Sequence, residues 1–187
     1  MILSGIRLGN FRNHVATEIA FGSGVNALFG ENGQGKTNVL EAVSYLCLTK
    51  SFYAASDADV VQIGTDRFHL EGTMIAGAGV AHCIRVEYTR TPPTKLFTVD
   101  AAAPESLASI IGRFPAVVLS PENSAITFGG PADRRRFVDL TLAQVSGAYL
   151  RDLMEYRKVL RHRNRILAEA RTRAAHVEQL LAPWTES

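Results

Sequence analysis

Cysteine is nearly absent from this 187-residue chain, and the two present, Cys47 and Cys83, lie in no CxxC or cysteine–histidine spacing. That excludes a disulfide-stapled scaffold and a zinc ribbon, and predicts two buried, reduced thiols in a cytoplasmic protein. No apolar run approaches the roughly 18–20 residues that a membrane span needs. The opening MILSGIRLGNFRNH has neither the basic start nor the small-residue cleavage site of a secretory signal. Lysine is scarce, 4 of the 20 basic residues, so a lysine in a special position asks for a reason. There is no internal repeat and no low-complexity segment.

What is present is unevenly spread. From Arg134 onward the chain carries 11 of its 20 Lys+Arg against 6 of its 18 Asp+Glu, which leaves 9 against 12 for residues 1–133. The C-terminal third therefore either faces something anionic or presents a solvated, arginine-rich helix face.

The apolar pattern divides the chain in two. ILSGIRLGNF and VATEIAF alternate, and predict an antiparallel strand pair. GVNALFG reads as a short apolar strand. Val39, Leu40, Val43, Leu46 and Cys47 recur at helical spacing and predict a buried helix ending near Leu48. RFHLEGTMIAG, VAHCIRVEYTR and KLFTVD predict a three-strand meander over 67–99, followed by a short helix in PESLASIIG and a strand in PAVVLS. From Pro131 two long helices are expected, PADRRRFVDLTLAQV and a second beginning near AYLRDLMEY, with Gly147 as the one breaker. The fold class expected is α/β, with an α/β lobe over 1–125 and the start of a helical lobe over 126–187. That helical part has too few helices to bury one another, and the chain is expected to be an incomplete piece.

Between the predicted GVNALFG strand and the helix stands Gly30-Glu31-Asn32-Gly33-Gln34-Gly35-Lys36-Thr37, which fits the phosphate-binding pattern GxxxxGK[ST]. The chemistry needs these residue types. Glycines let successive backbone N–H groups point inward as an anion nest. The helix that follows aims its free N–H groups and positive dipole end at the same point. Lys36 supplies a full charge to the β/γ-phosphates, and the Thr37 hydroxyl can ligate Mg²⁺. A glycine-rich strand-to-helix turn without a ligand is the bland alternative; the strand-like run before it and the helix after it favour nucleotide.

A phosphate loop does not choose among motors, transporters and repair ATPases. LGNFRNH, GVNALFGENGQGKTNVLEAVSYL, TKSF, PENSAITFGGPADRRRFVD and YRKVLRHRNRIL, in this order, resemble the RecF family of bacterial recombination-mediator ATPases, in the SMC-like branch of the ABC-type ATPases. The resemblance implies a P-loop head of ABC/SMC type with a mixed-sheet lobe I and a helical lobe II. It implies ATP with Mg²⁺ as cofactors and an ATP-dependent head-to-tail homodimer. It implies binding to double-stranded or gapped DNA, with RecO and RecR as partners in loading RecA during recombinational repair. Carried over by residue, it makes Gly30 to Asn38 the phosphate cradle and sets Arg12 and Asn13 against the nucleotide. Glu122, in SPEN, falls near the family's glutamine loop and is carried over as a second candidate metal residue beside Thr37, although SPEN serves equally well as an N-cap and turn. Ser51-Phe52-Tyr53 departs from the family's Ser-Phe-Arg, which removes any arginine role there. The family's signature motif, Walker B carboxylates and D-loop have no counterpart in this sequence. It is therefore expected to be the N-terminal half, binding nucleotide with negligible hydrolysis. A transporter nucleotide-binding domain or another SMC-like ATPase is the alternative; neither explains RRRFVD or RNRIL.

Two basic clusters remain. Arg134, Arg135 and Arg136 sit in a first helical turn, where cations oppose the macrodipole. They serve an anion or partner subunit, or pair with acidic residues of the same chain. Arg157, Lys158, Arg161 and Arg165, with Arg151 and Arg163, interleave with an apolar stripe of Leu150, Leu153, Leu160 and Ile166 that is expected to be core. Those cations could track duplex phosphates. Too few aromatics interleave with them for a single-strand stacking platform. His162 and His176 have no ligand-spaced partner and read as helix-face residues.

Overall fold

The computed structural model describes residues 1–119 and 128–170. The chain divides into two compact units, Met1–Phe128 and Gly129–Ser187, each described separately below.

The first unit is built on one antiparallel sheet. Its strands are β1 (Ile2–Phe11), β2 (His14–Ala20), β3 (Arg67–Ile75), β4 (Ala81–Thr89) and β5 (Thr94–Val99), in the order β2-β1-β3-β4-β5. Alternation decides which face is buried. Ile6 and Leu8 of β1, Phe68, Leu70 and Met74 of β3, Ile84, Val86 and Tyr88 of β4, and Phe97 and Val99 of β5 all point inward. The opposite face carries a cross-strand charge ladder in which Arg7 bridges Glu18 and Glu71, and Glu71 also pairs with Arg85. Hydrogen bonding to Arg85 holds the Glu71 carboxyl below its ordinary range.

Helix α1 (Lys36–Leu48) lies on the inner face. Ala42, Tyr45 and Leu46 are fully buried, and Tyr45 packs edge-on against Phe11 and Phe68 at 5.7 and 5.5 Å between centroids. The helix approaches so closely that a Cβ on Gly72 of β3 would run into the Leu46 side chain. Its far end is pinned by charge. The Lys95 ammonium of β5 donates to the Thr49 carbonyl at 2.6 Å and to both Asp57 oxygens at 3.0 Å, and the Tyr45 hydroxyl donates to the same carboxylate at 2.8 Å.

Four expectations change here. The GVNALFG segment is not a strand: Val25 and Phe29 are 102% and 92% exposed. The PAVVLS segment, described through residue 119, is not a strand either, and Leu119 is 88% exposed. Both are apolar runs of the kind buried on two faces of a sheet, and a strand exists only where a neighbour takes its hydrogen bonds. Among the described residues none does. The PESLASIIG helix shrinks to a single 3₁₀ turn, Leu107–Ile110, capped by Ser106. On α1, Leu40 is 54% exposed whereas Glu41 is 2% exposed, so helical periodicity assigned the buried face one residue wrong at this point.

Cys47 is buried and Cys83 half-buried, both as free thiols. Burial pushes the Cys47 thiol up to about 11 from an ordinary 9.0. A thiol kept neutral by folding stabilises the native state fully below the unfolded value, and that contribution is lost as pH rises from 9.0 to about 11. Thermal melts under reducing conditions are expected to show a fall in midpoint across this window, shallower in Cys47→Ala. An equal slope in the variant would assign the loss to other groups.

The second unit contains α2 (Pro131–Val145) and α3 (Gly147–Ala170). Pro131 occupies the first turn of α2, and the Asp133 carboxylate accepts from the Gly130 N–H at 3.0 Å, so the helix start is closed by a local acid. Asp139 ties the two helices, accepting from the Tyr149 hydroxyl at 2.7 Å and from Arg157 at 3.0 Å. The stripe expected as core is only half-covered within this unit. Leu150, Leu153 and Ile166 are half-buried, and Leu160 is exposed.

Candidate functional site

The glycine-rich loop connects the apolar run 25–29 to α1. Gly30, Gly33 and Gly35 have φ of 148°, 84° and 95°, a region that side-chain-bearing residues rarely adopt. Gly35 is also the N-cap of α1, and its buried position leaves no room for a side chain: a Cβ would lie 2.5 Å from both Asn13 Oδ1 and His14 Nε2. The Lys36 ammonium reaches back across the loop and donates to the carbonyls of Gly30 at 2.9 Å and Glu31 at 2.7 Å. The Gln34 amide oxygen accepts from the Glu31 N–H at 3.1 Å, closing the loop's tip. Lys36 and Thr37 form one wall of a cleft of about 520 Å³, whose other walls include Phe21, Gly24, Asn26 and Leu28. Thr37 is exposed in the first turn of α1, and its hydroxyl is a hard oxygen donor of the kind Mg²⁺ takes.

The β1–β2 turn lies against this loop. The Asn13 amide donates to the Gly33 carbonyl at 2.9 Å, the Asn38 amide donates to Asn13 Oδ1 at 2.8 Å, and His14 Nε2 contacts the Gly35 carbonyl at 3.2 Å. Arg12, in a left-handed conformation with φ 55°, does something different. Its Nε and Nη2 fork onto the two oxygens of Glu41 at 2.8 Å each, and Nη1 donates to the Asp59 carbonyl at 3.0 Å. The Glu41 hydrogen bond holds the guanidinium above its ordinary value against the opposing effect of burial. Ser51 completes the set, donating to Glu41 Oε1 at 2.5 Å. Three guanidinium nitrogens are thus committed within the protein, and two N–H groups remain for any other acceptor.

Sequence reasoning brought Arg12, Asn13 and the loop 30–38 together; the structure sets Asn13 on the loop, whereas the Arg12 side chain is held by Glu41 and the Asp59 carbonyl. It missed Glu41, His14 and Ser51. Glu41 sits inside a helical apolar pattern, where a carboxylate reads as solvated; its partner is 29 residues away. The proposed metal residue Glu122 lies outside the described residues, as does His176. Among the described residues, no group of three or more His, Cys, Asp or Glu could hold a metal ion. No helix among them is long and apolar enough to cross a membrane.

The basic residues divide by what they touch. Arg134 donates to the Gly129 carbonyl at 3.0 Å. Arg135 and Arg136 are exposed and have no acidic partner among the described residues. Arg157 is engaged by Asp139, Lys158 lies 3.8 Å from Glu155, and Arg165 lies 4.0 Å from Glu169 and 3.4 Å from His162. Arg161 is exposed and has no ion pair among the described residues.

A family model described as an AAA domain matches residues 6–165. The chain belongs to the AAA domain family. Within it, the resemblance to RecF extends over the whole chain. The DNA replication and repair protein RecF of Salinibacter ruber is 43% identical over all 187 residues, which cover 45% of that protein. RecF of Chloroherpeton thalassium is 38% identical, again over the full chain and 50% of the relative. The chain thus spans about half the length of the curated relatives it matches. A solved structure of the recombination mediator RecF-ATPrS superposes with a TM-score of 0.89 at 30% identity, covering 98% of this chain and 49% of that one. An SMC ATPase structure, 16% identical, superposes at 0.59 over 78% of this chain and shares the fold. The expected α/β head of ABC/SMC type is borne out, with lobe I an antiparallel sheet backed by α1.

Proposed function

We propose that this chain is the nucleotide-binding part of a RecF-type recombination mediator and that it holds ATP with Mg²⁺ on the loop 30–38. The observation that carries the reading is the set of three positive-φ glycines leading into Lys36 and Thr37 beside a cleft of about 520 Å³. Inward N–H groups, a helix start and one ammonium are the parts that an oligophosphate requires. Thr37 would hold Mg²⁺, which when bound neutralises phosphate charge. Lys36 orients and neutralises the terminal phosphates by exchanging its two carbonyl contacts for phosphate oxygens. Arg12, paired with Glu41, adds no net charge behind the loop but keeps two guanidinium N–H groups for an acceptor. Support for RecF in particular comes from the relatives named above, including RecF structures whose descriptions name ATP and ATPrS. A transporter domain gains nothing from them. Binding without appreciable turnover is the activity proposed for this chain by itself, because phosphoryl transfer also needs a positioned nucleophile. Saturable ATP binding that depends on Lys36 tests the reading; equal binding by wild type and Lys36→Ala would refute it.

We further propose that the whole protein forms an ATP-dependent homodimer on double-stranded or gapped DNA and works with RecO and RecR in loading RecA. Among the described residues, Arg135, Arg136 and Arg161 are exposed cations with no ion pair and are candidates to meet phosphate, whereas Arg157 already neutralises Asp139. DNA binding is expected to weaken steeply with salt, and each phosphate that a cation ceases to neutralise lowers the slope by about 0.9. Arg161→Ala should therefore reduce the slope by close to one, and Arg157→Ala by less. Titrations of a labelled duplex at several salt concentrations measure both slopes. Identical slopes in wild type and Arg161→Ala would remove this residue from the DNA surface.

A further inference from the structure

The β1–β2 turn touches the glycine-rich loop only through main-chain carbonyls and Asn38. We infer that Asn13 and His14 are positioning residues for the anion cradle, with Asn38 orienting Asn13. This inference rests on the nucleotide reading above.

The argument is one of peptide geometry. In a trans peptide the C=O and the following N–H point in opposite directions. The Gly33 carbonyl is drawn to the turn by the Asn13 amide at 2.9 Å, so the Gln34 N–H is directed away from the turn. That N–H makes a long contact to the Glu31 carbonyl, 3.5 Å from N to O, across the loop. The Gly35 carbonyl accepts the Val39 N–H at 3.1 Å as the first bond of α1 and meets His14 Nε2 at 3.2 Å as a second partner, so helix and turn together direct the Lys36 N–H away from the turn. Since a carbonyl only accepts, Nε2 carries the proton, and Nδ1 accepts from the Thr17 hydroxyl at 2.9 Å. Two donors of the cradle are thus aimed by holding their carbonyls from behind.

Asn13 can do this only in one of its two amide orientations; flipped, it would set Oδ1 against the Gly33 carbonyl. The Asn38 amide, donating to Oδ1 at 2.8 Å, removes the choice. The family resemblance places Asn38 in the cradle itself. Its side chain is turned to the brace instead, and it acts on phosphate through Asn13 and Gly33. The turn is anchored in its own right: Arg12 N–H donates to the Val60 carbonyl at 2.7 Å, and Gln62 N–H to the Asn10 carbonyl at 2.9 Å. Gly35 allows the contact, because any Cβ there would clash with both bracing side chains.

The test displaces a fluorescent ATP analogue with ATP·Mg²⁺ and, separately, with inorganic pyrophosphate, using the full chain and its Asn13→Ala, Asn38→Ala, double and Lys36→Ala variants. Each asparagine variant should weaken both ligands by the same factor, about 2- to 10-fold for one neutral hydrogen bond. The double variant should be no weaker than Asn13→Ala, since both act through one contact. Effects that multiply, or that spare pyrophosphate, would overturn the inference and make the asparagines ligand contacts, while the nucleotide reading stood. Binding indifferent to Lys36→Ala, or no binding by wild type, would overturn both. Ligand-free amide ¹⁵N–¹H spectra provide a second readout. Gln34 should shift in both asparagine variants and Lys36 should shift in His14→Ala, and an unmoved Gln34 would sink the brace whatever the affinities.

Discussion

Lys36→Ala is expected to lower the affinity of the chain for ATP·Mg²⁺ by about 100-fold or more. The ammonium is the one positive charge in the loop, and hydrogen bonds to charged groups contribute about 1.5–3 kcal/mol each. Two such bonds to phosphate oxygens, at about 1.4 kcal/mol per factor of ten, make up the expected loss. The folded state should hardly notice. The side chain is only half-buried, and its two contacts are to loop carbonyls that water can serve instead. Isothermal titration with ATP beside a thermal melt separates the two effects. A variant that still binds within a few-fold of wild type would mean that the loop is not the phosphate site. Lys36→Arg should not rescue fully, because a planar fork cannot reproduce a compact ammonium that holds two carbonyls on one side of the loop.

The second large effect is on stability. Glu41→Ala is expected to destabilise the first unit by about 3–5 kcal/mol, the cost of breaking a buried pair by removing one partner. Glu41 is 2% exposed and receives the Arg12 fork and the Ser51 hydroxyl, so its loss strands a guanidinium that is itself largely covered. For a chain of this size that lowers the melting temperature by about 2–4 °C per kcal/mol. The Arg12→Ala/Glu41→Ala double variant should be less destabilised than the sum of the singles, since the second removal relieves an unpaired charge. Strict additivity in thermal melts would mean that the pair is not coupled. The geometry also predicts a functional echo: Arg12 anchors the turn that carries Asn13, so Glu41 variants that still fold should bind nucleotide more weakly.

Much of this molecule was legible from residue order. Strand alternation, the i, i+3, i+4 spacing of α1, Pro131 at a helix start and the GxxxxGK[ST] spacing are local signals, each set by contacts within a few residues. They assigned the five strands and the three helices correctly, whereas the mixed sheet expected is a single antiparallel one among the described residues. Where local pattern failed, the deciding contact came from far along the chain. VNALF and PAVVL have strand composition, yet a strand needs a neighbour for its N–H and C=O groups, and composition does not supply one. Glu41 looked like a solvated helix position, and only the fold brings Arg12 from across 29 residues to neutralise it. Asn38 looked like part of the cradle, and only the turn between β1 and β2 redirects its amide to Asn13.

By itself, then, the sequence determined the five strands and three helices that form, where the GxxxxGK[ST] loop lies and which family the chain resembles, because backbone preference and motif spacing are short-range. Tertiary structure alone decided which polar side chains are buried and what holds them. Burying a charge or aiming a carbonyl depends on a partner brought close in space by the sheet, and that partner has no fixed distance in the sequence.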